Sequence, residues 1–473
     1  MTKVFPIKQN YTWLLLFVII GFVIIKWEAL FLPFYWDEAW VYLPAIRTMA
    51  LSGPSIMPAS IHPDLYTGHP LLFYFLASLW IKTWGYSLFA AHIFPLLISI
   101  TLLISIYYIS YDWANNYFTA FIATLLVAIQ PIFLAQSTFL LIEVWLALLF
   151  VWAFYFYFKE KWVSFSITLV LALWSKESAY CLVPAFIMIS ATQLIFKTIN
   201  RRNFIHLSIR VILVFIVGFS FFIIQKYKLG WLFFPRHANW ITFEDFGDKM
   251  SSSFMVLFIS QGRNAIYILT TVIVLVSFIV LKNKRLKKQV ILLISFLIIS
   301  IGFMLFASIN FFSPRYLFAV IPLLMIGVSF LICSINNSYY STAIIIVITI
   351  IGYVNINRSI EGLKFGDVEL SYTRLLKAQV QFCNELETNK LNGNMYAPFL
   401  MYVNLSNKYA GFVNNELTNL NQYVLDTSNV YYIKVSNENC NELDSLISNN
   451  YISLDKSFVD KQAKIELYKR NPF

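Results

Sequence analysis

Apolar runs long enough to cross a bilayer recur along the first three quarters of the chain, and no other feature restricts its fold as strongly. Spans are legible at 11–31, 88–108, 117–135, 138–158, 162–175, 178–196, 208–226, 264–281, 290–309, 317–335 and 340–356. A further run, 70–84, has 15 residues. At ~1.5 Å per residue it reaches about 22 Å, short of a hydrocarbon core of about 30 Å. Backbone N–H and C=O groups find no water inside a bilayer, so such segments must be helical. The expectation is an α-helical polytopic membrane protein with about 11–13 transmembrane helices; the count turns on whether 70–84 crosses or re-enters.

Composition agrees. Of 473 residues, 59% are hydrophobic and 12% charged, against about 25% charged in soluble domains. That excludes a soluble enzyme, a disordered chain and a disulfide-rich secreted domain. The net charge of +11 is uneven: residues 1–357 carry 23 Lys and Arg against 11 Asp and Glu, whereas 358–473 carry 12 against 13. The excess belongs to the membrane part and follows the positive-inside rule; it does not form a nucleic-acid surface. The basic loops Lys159-Glu160-Lys161, Lys197–Arg202 and Lys282–Lys288 are assigned to the cytoplasm. The N-terminus then lies inside, and the first run, preceded by Lys3 and Lys8 with no small-x-small site after it, reads as an uncleaved signal anchor in the plasma membrane. Segments 35–69, 227–263, 310–316 and 358–473 lie outside.

Two domains are expected: a membrane domain, 1–357, and an extracytoplasmic α/β domain, 358–473. The second combines a helical pattern, Leu370–Leu386, with strand-like runs at Met395–Val403 and Asn429–Val435. Cys181 and Cys333 fall in apolar runs and read as packing residues. Cys383 and Cys440 share the tail, where a disulfide and two free thiols are both open.

Acidic residues are informative in the membrane part because a carboxylate at membrane depth costs at least ~2.5 kcal/mol. Asp37 and Glu38 follow the first span in Tyr35-Trp36-Asp37-Glu38-Ala39-Trp40, at the start of an amphipathic stretch, Trp40–Leu51, that suits an interfacial helix. They read either as helix-capping residues or as a general base with a neighbour that holds the local fold. Glu143 lies about one turn into an apolar helix and needs a partner or a cavity. Lys176 and Glu177 sit in a turn between spans. Thr67-Gly68-His69-Pro70 leads back into the membrane, where Thr67 and His69 are either incidental loop residues or contacts for a lipid phosphate. Arg236 and His237, in 234–240, and Arg315 and Tyr316, in 311–316, lie in loops assigned outside, where arginine is less expected. Arginine forks suit phosphate oxygens, so Arg236 and Arg315 are candidate phosphate ligands; the alternative is aromatic-belt anchoring. Five histidines without HxxxH or HxH spacing argue against zinc. No cofactor is required, and a divalent ion is admitted without being demanded.

Taken in order, these pieces resemble the GT-C class of membrane glycosyltransferases, and within it the protein O-mannosyltransferase and aminoarabinose (lipid A) transferase superfamily. The resemblance runs from Trp36 to about Pro322. It rests on the Asp37-Glu38 pair, Thr67–Tyr74, Glu143, Ser175-Lys176-Glu177 and Pro314-Arg315-Tyr316 with Pro322 beyond. It implies a GT-C fold and Asp37 as the catalytic carboxylate. It matches Glu143 to a second acidic residue lining the same cavity, which is Asp in the aminoarabinose transferases. A phosphate-contacting Lys of those enzymes is replaced by His69, and Tyr316 aligns with a phosphate-contacting Tyr. The activity implied is transfer of a sugar from a polyprenyl-phosphate donor to a lipid, glycan or protein acceptor on the outer face, with no nucleic-acid partner. Asp37, Glu38 and Glu143 are then the catalytic candidates. His69, Lys176, Arg236, His237, Arg315 and Tyr316 are the candidates for binding the lipid phosphate or sugar. Two other classes stand beside this: a lipid or small-molecule transporter, which predicts symmetric repeats and broken helices that the sequence lacks, and a non-catalytic cell-envelope scaffold.

Overall fold

The computed structural model describes residues 12–235, 239–281, 287–333, 338–389, 393–422, 429–438 and 440–471. Among the described residues, seven stretches are long and apolar enough to cross a membrane by length and composition: Leu88–Ala114, Glu177–Ile195, Arg201–Leu229, Phe246–Leu275, Ile291–Ile309, Pro314–Ile332 and Ser341–Ile360. Four shorter apolar helices, Thr12–Lys26, Tyr117–Ala128, Glu143–Phe158 and Trp162–Leu173, accompany them. Together they coincide with the eleven apolar runs of the sequence. The chain is a multi-pass membrane protein. The run at 70–84 forms only Leu72–Trp84, 13 residues, ended by Gly85 at φ 86°.

Prolines and small residues decide where these helices break and how closely they meet. Pro131 starts the short helix Pro131–Gln136 just past Tyr117–Ala128. Gly218 lets the backbone of Arg201–Leu229 approach Leu173, whose Cδ1 lies 2.4 Å from where a Cβ would stand. Lipid tails are as apolar as Leu, so helices in a membrane associate through such close packing more than through the hydrophobic effect. Pro314–Ile332 is the most enclosed span, with 89% of its apolar window buried, against 22% for Ser341–Ile360. The arginine of 310–316 therefore stands on the central helix of the bundle.

Two local expectations change. The stretch read as a loop, 227–263, contains a helix, Phe246–Phe254, continued by the wide turn Met255–Ile259. The helix carrying Glu143 begins at Glu143 rather than a turn earlier. The Leu140 N–H is taken by the Glu38 carboxylate at 2.5 Å, which holds the preceding residues out of the helix.

The C-terminal part is a five-stranded sheet with helices. We label its strands β1 (Met395–Tyr396), β2 (Leu420–Asn421), β3 (Tyr431–Val435), β4 (Ile452–Asp460) and β5 (Ala463–Arg470). The order is β2-β1-β3-β5-β4. β1 is parallel to β2 and β3, and β5 is antiparallel to β3 and β4. The helix Tyr372–Asn389 packs on the β4–β5 hairpin, with Phe382 edge-on to Phe458 at 5.4 Å. The run Met395–Val403 is not one strand. Beyond β1 it turns into the helix Phe399–Ser406, because Pro398 sets the entry and the Glu438 carboxylate accepts the Leu400 N–H at 3.0 Å. Cys383 and Cys440 are both buried free thiols, so the tail has no disulfide between them. Cys383 belongs to the main core and Cys440 to a separate small cluster with Tyr432, Leu443, Ile452 and Tyr468.

One core runs from the bundle into the C-terminal part through Phe365, Leu370, Tyr372 and Leu375. The helix Leu43–Ser52, expected to lie on the lipid surface, buries Leu43, Ala45, Ile46 and Met49. On its other side, Arg47 stacks 3.3 Å over the Tyr409 ring of the C-terminal part. Trp40 meets Phe399 edge-on at 5.2 Å. These contacts cap one end of the bundle.

Candidate active site

A cavity of about 590 Å³ opens at that capped end. Asp37, Thr67, His69, Arg315, Tyr316 and Asp367 contribute to its wall, with Trp36, Trp40, Phe311 and Phe365 among the aromatics. Four separate chain segments, more than 300 residues apart at the extremes, bring these groups together.

Asp37 enters first. Trp36, just before it, has φ +49°, a conformation uncommon for a bulky residue. Such strain persists where the surroundings over-determine it. Asp37 stands at the start of the wide turn Glu38–Tyr42 and makes no capping bond there. Its carboxylate instead accepts a hydrogen bond from Arg315 Nη2. Glu38 points elsewhere. Its side chain is fully buried, its two oxygens accept the Tyr35 N–H at 3.2 Å and the Leu140 N–H, and His92 lies 3.7 Å away. Of the adjacent pair, Asp37 faces the cavity and Glu38 ties the segment into the bundle. Glu38, a catalytic candidate of the motif, does not line the cavity.

Arg315 lies at the start of the 3₁₀ turn Pro314–Val320, where Pro314 at the first position presets the backbone. Each of its three nitrogens meets a different carboxylate. Nη2 donates to Asp37, Nη1 donates to Asp367, and Nε lies 3.3 Å from Glu143 Oε1. Glu143 is the first residue of its helix, where the dipole favours an anion. It also accepts a hydrogen bond from Lys176 Nζ at 2.8 Å. The same ammonium stands 4.0 Å from the centre of the Tyr316 ring. Lys176 is only 3% exposed, so it is a buried counter-ion rather than a solvated turn residue. Glu143 and Lys176 form the layer behind the wall and hold Arg315 and Tyr316 from the rear.

The third approach is through Gly68-His69. Gly68 has φ +79°, and a Cβ there would come within 2.3 Å of Phe234 Cβ, so only glycine lets this loop lie against that residue. His69 Nδ1 lies 2.7 Å from Glu177 Oε2, and Thr67 shares a hydrogen bond with Tyr74 at 2.9 Å. Tyr74 stacks on Tyr42 at 5.2 Å. Arg236 and His237 lie outside the described residues.

Sequence reasoning missed Asp367, which comes from the linker between the last span and the C-terminal helix. Its segment is fastened by main-chain oxygens. Tyr35 O–H donates to Phe365 O, Gln136 Nε2 donates to Asp367 O at 2.6 Å, and Gln261 Nε2 donates to Val368 O at 2.8 Å. Burial pushes the Asp367 carboxyl above its usual range, and the adjacent guanidinium works in the opposite direction. Asn437, also missed, reaches the cavity from the C-terminal part beyond β3. Among the described residues no group of three or more His, Cys, Asp and Glu side chains is arranged to hold a metal ion.

No family model matches the chain, and no curated protein does. Solved structures do. The structure of ArnT from Cupriavidus metallidurans bound to undecaprenyl phosphate superposes with a TM-score of 0.59 at 11% identity, over 97% of this chain and 98% of that one. This is the GT-C fold. The apo structure of the same ArnT gives a TM-score of 0.52 at 14% identity, over 79% of this chain and 69% of that one. At such identities the likeness is one of fold: the GT-C arrangement of helices with its C-terminal domain covers nearly the whole chain.

Proposed function

We propose that the chain is a membrane glycosyltransferase that moves a sugar from a polyprenyl-phosphate donor to an acceptor on the outer face of the membrane, with Asp37 as base. The observation that carries this is the Asp37–Arg315 pair in the wall of a cavity at the capped end of a GT-C bundle. Undecaprenyl phosphate bound to a solved protein of this fold supports the class of donor.

In the reaction, Asp37 takes the proton of the acceptor nucleophile. A bond forms from that nucleophile to the anomeric carbon. The bond from the anomeric carbon to phosphate oxygen breaks, and its electron pair leaves with polyprenyl phosphate. Arg315 stabilises the charge developing on that phosphate, with Tyr316 and His69 beside it and Lys176 behind. The fixed cations Arg315 and Lys176 act strongly in a site walled by protein and lipid, where little solvent screens them. A leaving phosphate received by cations needs no proton, so one base suffices.

The test is mass spectrometry of polyprenyl-linked lipids in cells lacking the gene, cells with it restored, and cells restored with Asp37→Asn. A single polyprenyl-phosphate sugar should accumulate in the deletion and in the Asp37→Asn strain, and disappear on restoration with the parent sequence. Full clearance by Asp37→Asn would remove Asp37 as the base. Unchanged lipids in the deletion would overturn donor consumption and favour a transporter or scaffold.

A further inference from the structure

Arg315 is more heavily engaged than a phosphate ligand should be. Its three nitrogens each face a carboxylate: Asp37, Asp367 and Glu143. With Lys176 included, two cations face three anions, so the cluster carries one net negative charge when every group is ionised. A phosphate entering beside it would add to that excess, unless one carboxylate withdraws from Arg315 or takes up a proton.

The three acids differ in their freedom to do so. Glu143 is 2% exposed, is shared with Lys176 and lies behind the cavity wall. Asp37 is the proposed base and must remain ionised to accept a proton. Asp367 lines the cavity and is 14% exposed. Its main chain and those of its neighbours are tied down by Tyr35, Gln136 and Gln261. Those bonds hold the backbone alone. Among the described residues, Arg315 is the hydrogen-bond partner of the Asp367 carboxylate. The backbone is thus anchored independently of the bond between the Asp367 carboxylate and the guanidinium.

We propose that Asp367 is a built-in stand-in for the donor's phosphoryl group: it holds the Arg315 nitrogen that a phosphate oxygen would take, and the two compete for it. The inference rests on Arg315 being the phosphate ligand of the proposed function. It gives the C-terminal linker a part in donor binding. A bound phosphate displaces Asp367, Arg315 turns its charge toward the leaving group, and the linker carries the signal that the site is filled. The charged and titratable groups acting on Asp367 are Arg315 on the central helix, Asp37 and Tyr35 on the first loop, and Glu143 on its helix, while Tyr316 and Lys364 line the same cavity. Burial raises the Asp367 carboxyl, so protonation on displacement costs less there than at an ordinary aspartate.

Competition and a merely structural role predict opposite signs. The probe is undecaprenyl phosphate, titrated into the purified full chain in nanodiscs at pH 7.5. Asp367→Asn removes the competing charge, so it should bind the probe about tenfold tighter than the parent. Asp367→Glu should bind like the parent, and Arg315→Gln should lose most of the affinity. If the parent binds but Asp367→Asn binds equally or more weakly, the competition is wrong and Asp367 only supports the fold. If the parent itself does not bind undecaprenyl phosphate, it is the proposed function that fails. Should Asp367→Asn not accumulate as folded protein, Asp367→Ser removes the same charge and carries the same expectation.

Discussion

At the scale of residues, adjacent acids have unlike roles. Asp37 and Glu38 are neighbours in sequence, and side chains about 100° apart around a helical turn cannot share one task. Glu38 accepts two backbone N–H groups inside the bundle, whereas Asp37 meets Arg315 at the cavity. Glu38→Ala leaves both N–H groups without an acceptor, at on the order of 1–3 kcal/mol each. The expected outcome is low yield and a lowered melting temperature for Glu38→Ala in detergent, measured by size-exclusion thermal melts. Asp37→Asn should melt like the parent and fail only in transfer. Equal melting of both variants would contradict the division of labour. That Asp37, Glu143 and Arg315 need partners was legible in the sequence, because isolated charges in apolar surroundings demand an explanation, and the structure pairs them. Asp367 was not legible: it lies among the many acids of a water-compatible tail, and nothing local marks it as the partner of an arginine 52 positions earlier.

At the scale of elements, periodicity identified the spans but not their ends or the short pieces. Residues 395–403 are apolar enough for a strand and become helix from Phe399 because a distant carboxylate, Glu438, caps it. The β4–β5 hairpin has a two-residue turn that places Lys461 at φ +57°. Glu438 yields a pH prediction. Burial pushes its carboxyl up to about 7, above the ordinary value of 4.5. A carboxyl raised on folding favours the protonated native state. Its ionisation therefore removes stability as pH rises from about 4.5 through about 7. Glu438→Gln keeps an acceptor for Leu400 N–H without the charge. Hydrogen exchange across 399–406 in the full chain should be slower in Glu438→Gln than in the parent at pH 8, and equal in the two at pH 5. A difference of the same size at both values would exclude ionisation as the cause.

At the scale of the whole molecule, the C-terminal part is docked rather than appended. Arg47 stacks on Tyr409, the Phe34 N–H donates to Ala410 O at 3.0 Å, and the linker carries Asp367 to the cavity. The capped end bears Asp37, Arg315 and the sheet, while the turn Lys159-Glu160-Lys161 beyond Glu143–Phe158 is tied by Lys159 to Asp112 near the end of Leu88–Ala114. By the positive-inside rule, that turn is expected in the cytoplasm and the sheet outside. Ser445 and Glu160 are both exposed, and the free cysteines are buried or half-buried. In intact cells a membrane-impermeant maleimide should label Ser445→Cys and leave Glu160→Cys unlabelled until the cells are lysed. The reverse pattern would invert the topology and place the cavity on the cytoplasmic face.

The sequence alone determined that this chain lives in a membrane, how many apolar segments it has and which scattered charges need partners. Those conclusions follow from local composition: a bilayer tests each segment of about 20 residues on its own hydrophobicity. It did not determine which of two adjacent acids faces the cavity, that Lys176 is buried under Glu143, or that the tail supplies a carboxylate to Arg315. Those depend on where a loop, a central helix and a C-terminal linker meet. Electrostatic pairing acts over a few ångströms of space, whatever the separation along the chain. Only the packed bundle, with its C-terminal cap in place, brings Asp37, Arg315 and Asp367 within that range.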